Sequence, residues 1–250
     1  MRRLNASLII SVSFLSVVAL MIPVHATFGL DGSAEASFTG GYPPSYPPVT
    51  TNVTSITLTT NHPKDLIVIG VVFVGVYGTN VSSISDTSGL IYSQRARFVK
   101  TSPLCLQAQI EEWYSFAENT LTSDIITVRL SSGRVGIAGI IGWGISGSSK
   151  TSFDSSTSFP KLDVESDCSH QVSATFTTRS SNDFVFGLFA VNDGSENPAP
   201  GFTSLSGGSF GGFMDMMYVL ANRPLVNSSV SFTGDSMAMM IDAVQLAGPF

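Results

Sequence analysis

Charge is scarce in this 250-residue chain. Charged residues make up 12% of it, 12 basic against 18 acidic, roughly half the usual share. No run of Lys or Arg breaks the acidic balance, and a surface of that sign repels phosphate backbones, which excludes nucleic acid as a partner. Histidine is also scarce. Beyond His25 there are His62, just before Pro63, and His170; both read as solvent-facing loop residues and offer no base for a nucleophilic triad. No stretch keeps a capped 3.6-residue apolar period, which excludes a helical fold.

What the chain has instead is a leader, a proline-rich stretch and many short apolar words. Arg2 and Arg3 precede an uncharged apolar run at residues 8–22, then Pro23 and Val24-His25-Ala26. This is the grammar of a signal peptide over residues 1–26, with cleavage expected after Ala26; the alternative is an uncleaved anchor, and only then would a membrane be a partner. Removing Arg2 and Arg3 leaves ten basic residues against 18 acidic, a balance of about −8. Localisation is expected to be extracellular or at the cell surface. Residues 27–52 hold Gly and Ser, then Tyr42-Pro43-Pro44-Ser45-Tyr46-Pro47-Pro48, a polyproline-like spacer. Residues 27–38 read either as a lead-in or as a tethered strand that pairs with an open sheet edge, its own or a neighbour's.

The body, residues 53–250, is organised around a repeated word. TLTTNHPKDLIV (57–68) returns as TFTTRSSNDFVF (175–186), with four identities in twelve positions. Each copy reads strand, turn, strand, and after the turn an Asp opens an apolar run, 66–74 or 184–191, of the kind that suits strands covered on both faces. The order continues: Tyr114 corresponds to Tyr218, and Ile126-Thr127-Val128 to Val230-Ser231-Phe232. Two repeat units, about 53–146 and 171–247, are joined by a Ser-rich crossover at 147–170. The expected fold is all-β, a two-sheet antiparallel sandwich, jelly-roll-like, in one domain and from an internal duplication.

The stretch IEEWYSFAENTLTSDIITVRLS (110–131), followed by a Gly/Ile strand and later by SNDFVFGLFAV, resembles a functionally uncharacterised β-sandwich module of secreted and cell-surface proteins in bacteria and archaea. The resemblance implies a fold and no catalytic residues. Glu112 stands where such modules usually carry an apolar residue.

Several residues could carry chemistry. Alternation along 104–116 puts Glu112 on the face of Leu106, Ala108, Ile110 and Tyr114, where a lone carboxylate costs several kcal/mol unless protonated or paired. A β-bulge near Glu111 would turn it outward; otherwise it pairs with Arg129 or Arg134, or works as an acid. Glu111 shares the other face with Gln109 and Trp113, and Asp215 takes its place in the second unit. Carboxylates beside an aromatic suit a glycoside hydrolase using Glu111 or Glu112 with Asp215, or plain sugar binding; neighbours on one strand point to opposite faces, so Glu111 and Glu112 are not the pair. Trp113, Phe202, Phe210 and Phe213 are the aromatic candidates for glycan contact, or rings that cap the core.

Met214, Met216, Met217, Met237, Met239 and Met240 read as core filling rather than soft-metal ligands. Acidic turns at 163–167 and 192–196 carry only a weak calcium pattern. Neither metal nor cofactor is expected. Cys105 and Cys168 would pair after export, closing a loop of about 64 residues and stabilising by ~4 kcal/mol on the chain-entropy model. Asn52, Asn80 and Asn227 begin glycosylation sequons. The expected function is non-catalytic binding, adhesion or surface assembly, with a cell-surface glycan or like subunits as partners; the alternatives are the hydrolase and a strand-donating filament subunit.

Overall fold

The continuous apolar runs and the alternating ones go to different layers. The computed structural model describes residues 29–38, 52–74, 78–100, 108–131, 137–164, 171–180, 182–191, 201–205, 214–221, 225–233 and 236–247. Its first half holds β1 (Gly29–Phe38), β2 (Val53–Leu58), β3 (Asp65–Val74), β4 (Val81–Ser85), β5 (Ser93–Lys100), β6 (Ala108–Ala117), β7 (Asp124–Leu130) and β8 (Ile137–Ser146). The second holds β9 (Ser148–Phe153), β10 (Lys161–Val164), β11 (Gln171–Phe176), β12 (Asp183–Val191), β13 (Thr203–Ser204), β14 (Met214–Ala221), β15 (Ser228–Thr233) and β16 (Ser236–Leu246).

The all-β antiparallel fold is as expected. A two-sheet sandwich describes each half, and the halves stack into four layers. In the first half a large sheet, β1-β8-β3-β6-β5, lies against a small one, β2-β7-β4; in the second, β10-β16-β12-β14-β13, with β9 also on β16, lies against β11-β15. Ile56, Leu58, Ile126 and Val128 of the first small sheet pack on Ile67, Ile69, Val71 and Phe73 of β3. The opposite face of β3, with Leu66, Val68 and Val72, meets Phe184, Phe186 and Leu188 of β12. The other face of β12, with Val185 and Phe189, closes on Val172, Ala174, Phe176 and Val230. Coverage on both faces is why β3 and β12 are almost wholly apolar.

The halves share one pairing plan. Tyr114 sits opposite Val68 and Tyr218 opposite Phe186; Ile126 sits opposite Ile56 and Val230 opposite Ala174. The repeated word is not a hairpin, as its turn suggested. Its first strand lies in a small sheet and its second in a large one, so the turn carries the chain between layers. The crossover contributes β9 and β10, both paired to β16, in the place that β1 takes beside β8. The spacer and the leader lie outside the described residues, as do Cys105 and Cys168.

Contact between the large sheets leaves no room at Gly70, where a Cβ would lie 2.6 Å from Leu188 Cδ2 and 3.3 Å from Ile141 Cγ2. Gly70→Ala is expected to lower stability by about 1–3 kcal/mol through overpacking, read by urea denaturation. An unchanged midpoint would mean that β3 and β12 do not meet this closely.

Candidate functional site

Among the described residues, three arrangements of enclosed polar groups stand out. The first is the turn between β2 and β3. Asp31 is the extra residue of a β1 bulge, where the register to β8 slips between Leu30 and Gly32, and the bulge aims its side chain at the turn. The N–H groups of Asn61 and His62 donate to Asp31 Oδ2 at 2.7 and 2.8 Å, Asn61 Nδ2 donates to Oδ1 at 3.2 Å, and His62 Nδ1 lies 2.9 Å from Oδ1. His62 is therefore an anchor of the turn rather than a free loop residue. Burial works against the charge on Asp31, but the donors outweigh it and hold its carboxyl below the usual aspartate range.

Asp65, the Asp that opens the apolar run, is fully buried, with the Thr60 hydroxyl and the Asp31 carboxyl beside it. Burial first, and the neighbouring Asp31 second, push it up to about 7, so the pair is stable with one proton between two carboxyls. The second half repeats this arrangement. Arg179 N donates to Asp154 Oδ2 at 2.7 Å, and Asp183 is buried and pushed up to about 7 by burial and Asp154, against the Thr178 hydroxyl and the Ser180 backbone. Thr60 and Thr178 take matching bonds from Leu121 N and Leu225 N at 3.0 and 2.9 Å. Thr59 and Thr177 take theirs from Ser123 N and Asn227 N, both 3.1 Å. Three of the four identities in the repeated word are thus turn-building residues.

The second place is Glu111, fully buried on the face of β6 that looks toward β4. Its oxygens receive Val81 N at 3.1 Å, Gln94 Nε2 at 3.1 Å, Trp113 Nε1 at 3.0 Å and Gln109 Nε2, while Arg97 Nε stands 3.7 Å away. These donors leave neither oxygen of the buried carboxyl without a hydrogen-bond partner.

The third place is Glu112, on the opposite face, 0% exposed between the two large sheets. The outward bulge expected near Glu111 does not occur in β6. The bulge is in β5, where the register slips between Gln94 and Ala96, and it frees Arg95 to enter the core. Arg95 Nε donates to Asp242 Oδ2 at 3.0 Å, and its guanidinium lies 4.3 Å from the centre of the Phe153 ring. The cation is Arg95 and it serves Asp242; Arg129 stands on β7, and Arg134 lies outside the described residues. Glu112 has no donor; its neighbour is Asp242 itself. Two acceptors bond only through a proton. Burial, then the charge on Asp242, drives the Glu112 carboxyl well above the usual range, and Asp242 is raised by burial against the pull of Arg95.

The remaining candidates are brought to no common site. Asp215 is opposite Phe189 as Glu111 is opposite Val71, but its side chain lies outside the described residues. Trp113 is held by Glu111, and Phe202 packs on the second outer core; Phe210, Phe213 and His170 lie outside the described residues. Met216 and Met240 fill the central core, Met217 and Met239 an outer one. Among the described residues no three His, Cys, Asp or Glu side chains gather in a metal-ligating group; the acidic turn at 192–196 and the side chains of 163–167 lie outside them. Asn52 and Asn80 are half-buried, with Nδ2 donating to Leu130 O and Val81 O; Asn227 is exposed at a positive φ. No family model, curated protein or solved structure matches the chain.

Removing Arg95 strips the buried carboxyls of their cation. Arg95→Met is expected to cost about 3–5 kcal/mol at neutral pH and less in acid, where both carboxyls hold protons; an equal loss at both would contradict the pairing. Because the folded Glu112 sits above its ordinary value, it favours the fold at low pH and less so as pH rises. Glu112→Gln keeps the neutral form, so its denaturation midpoint should change less between about pH 5 and pH 8 than the parent's.

Proposed function

We propose that this is a secreted, non-catalytic cell-surface β-sandwich protein that acts in surface assembly, of the module type its sequence resembles. The observation that carries the reading is β1. It occupies the edge of the first large sheet beside β8, and residues 39–51, with the Tyr-Pro-Pro repeats, separate it from β2. Its large apolar anchors are Leu30 and Phe38, while Ala34 and Ala36 fill the middle. Each anchor contributes about 1.5–3 kcal/mol, and the backbone ladder supplies the rest. Such a strand can complete its own sheet or the same sheet of a second copy.

The hydrolase reading loses support at its proposed acids. Glu111 and Glu112 are closed to solvent on opposite faces of β6, and a glycosidase needs two carboxyl groups across an open groove at about 5–9.5 Å. The matched pairing and the twin turns support origin of the two halves by duplication. Pairing of Cys105 with Cys168, and glycans at the sequons, with Asn227 the most accessible, belong to the same proposal for an exported chain.

Chain beginning at Thr27 should form assemblies in size-exclusion chromatography with light scattering, whereas chain beginning at Val49 should stay monomeric; identical masses would remove the strand-donating reading. Gly32 offers a second variant, because a Cβ there would run into the Thr59 carbonyl oxygen. Gly32→Val should lift β1 and behave like the shortened chain.

A further inference from the structure

We propose that the turn at residues 61–62, backed by Asp65, is a receptor for an aspartate on a completing strand, closed by a proton shared with that aspartate, so that β1 is held in acid and released as pH rises. This rests on the reading of β1 as the donated strand and names what governs it.

The geometry is that of a built acceptor. Two turn N–H groups converge on one oxygen of Asp31, and a bulge places that residue where the ladder alone would not. Behind it Asp65 has both oxygens buried, with the Thr60 hydroxyl and the Asp31 carboxyl as its polar neighbours, so the contact between the two acids is made through a shared proton. The second half holds the same receptor already filled, by Asp154 at the end of β9. There the completing strand enters directly from β8 through Gly147; in the first half it arrives from the N-terminal side across the proline-rich stretch. Both large sheets are thus completed by the strand that precedes them in sequence, with its aspartate in the turn.

Around the pair, the titratable groups are Asp31 of β1, His62 and Lys64 of the turn, and Glu118 past the end of β6; β8 offers Gly144 and the segment before β7 offers Leu121. Asp65 is raised when β1 is docked, by burial and by Asp31, and returns toward an ordinary aspartate value when β1 leaves. Docking is therefore strongest below the free value and weakens as pH climbs toward about 7, by up to roughly tenfold per pH unit within that window. Asp31, lowered in the docked state, acts in the opposite sense and weakens docking only in stronger acid.

The test is hydrogen exchange on the full chain, corrected for intrinsic rates, comparing β1–β8 amides with the β2–β7 ladder at about pH 5 and pH 7.5. Protection of β1 is expected to fall at least tenfold with the rise while β2–β7 holds, and Asp65→Asn, which keeps a donor toward Asp31, should abolish the fall. Equal β1 protection at both pH values overturns the proposal. So does a fall that survives in Asp65→Asn, since the response would then not come from the proton shared with Asp65. The parent's own pH response decides the matter if the variant does not fold. Mixing two fluorescently labelled batches of the full chain separates the readings. Chain joining that ignores pH sinks the latch and spares strand donation; β1 opening without joining does the reverse.

Discussion

A carboxylate taken out of water must be given donors or keep its proton, and this fold takes many out. Among the described residues eight acidic side chains are buried: Asp31, Asp65, Glu111, Glu112, Asp124, Asp154, Asp183 and Asp242. Among the described residues Lys or Arg comes within ion-pair distance of two of them, Arg95 of Asp242 and Arg97 of Glu111. Glu111 is answered by amides, an indole and a backbone N–H, Asp31 and Asp154 by turn N–H groups, Asp124 by the hydroxyls of Thr87 and Ser88, and Asp242 by Arg95. Asp65, Asp183 and Glu112 each have another carboxyl beside them, and the Thr60 hydroxyl, the Thr178 hydroxyl and the Arg95 charge offset that only in part. A proton completes those three contacts, and they stand at the joints of the architecture: two where a completing strand meets an interlayer turn, one between the large sheets.

Those joints explain the layering. Because β3 and β12 are covered on both faces, the acids at their starts, Asp65 and Asp183, and Glu111, Glu112 and Asp242 on their partners meet protein rather than water. Register slips then do the aiming, at Asp31 in β1 and Arg95 in β5. The same slip in a solvent-facing edge would only bend the strand; here it delivers a charge to a buried acid.

Much of this was legible in the residues. The twin words announced paired units, and their shared Thr-Thr and Asp are the turn itself. The apolar runs pointed to strands covered on both faces, yet the expected architecture stopped at two sheets where the structure has four. Alternation placed Glu112 on a buried face, yet suggested relief by a bulge in its own strand. The bulge belongs to β5, and nothing along β6 reveals its neighbour's register. Asp242 lies 130 positions beyond Glu112 and Asp31 lies 31 before His62, so neither contact leaves a local pattern. His62 looked like a loop residue because its partner sits in a segment that reads equally well as a lead-in.

The most direct test of the account is an infrared titration of the carboxyl stretch, on the full chain and on an Asp65→Asn, Asp183→Asn variant. Protonated carboxyl absorption should persist at about pH 6, well above the range of ordinary side chains, and the variant should lose part of it. If the band vanishes by about pH 5 in the parent, the buried acids do not share protons, and the account of how β1, the turns and the large sheets are held together fails.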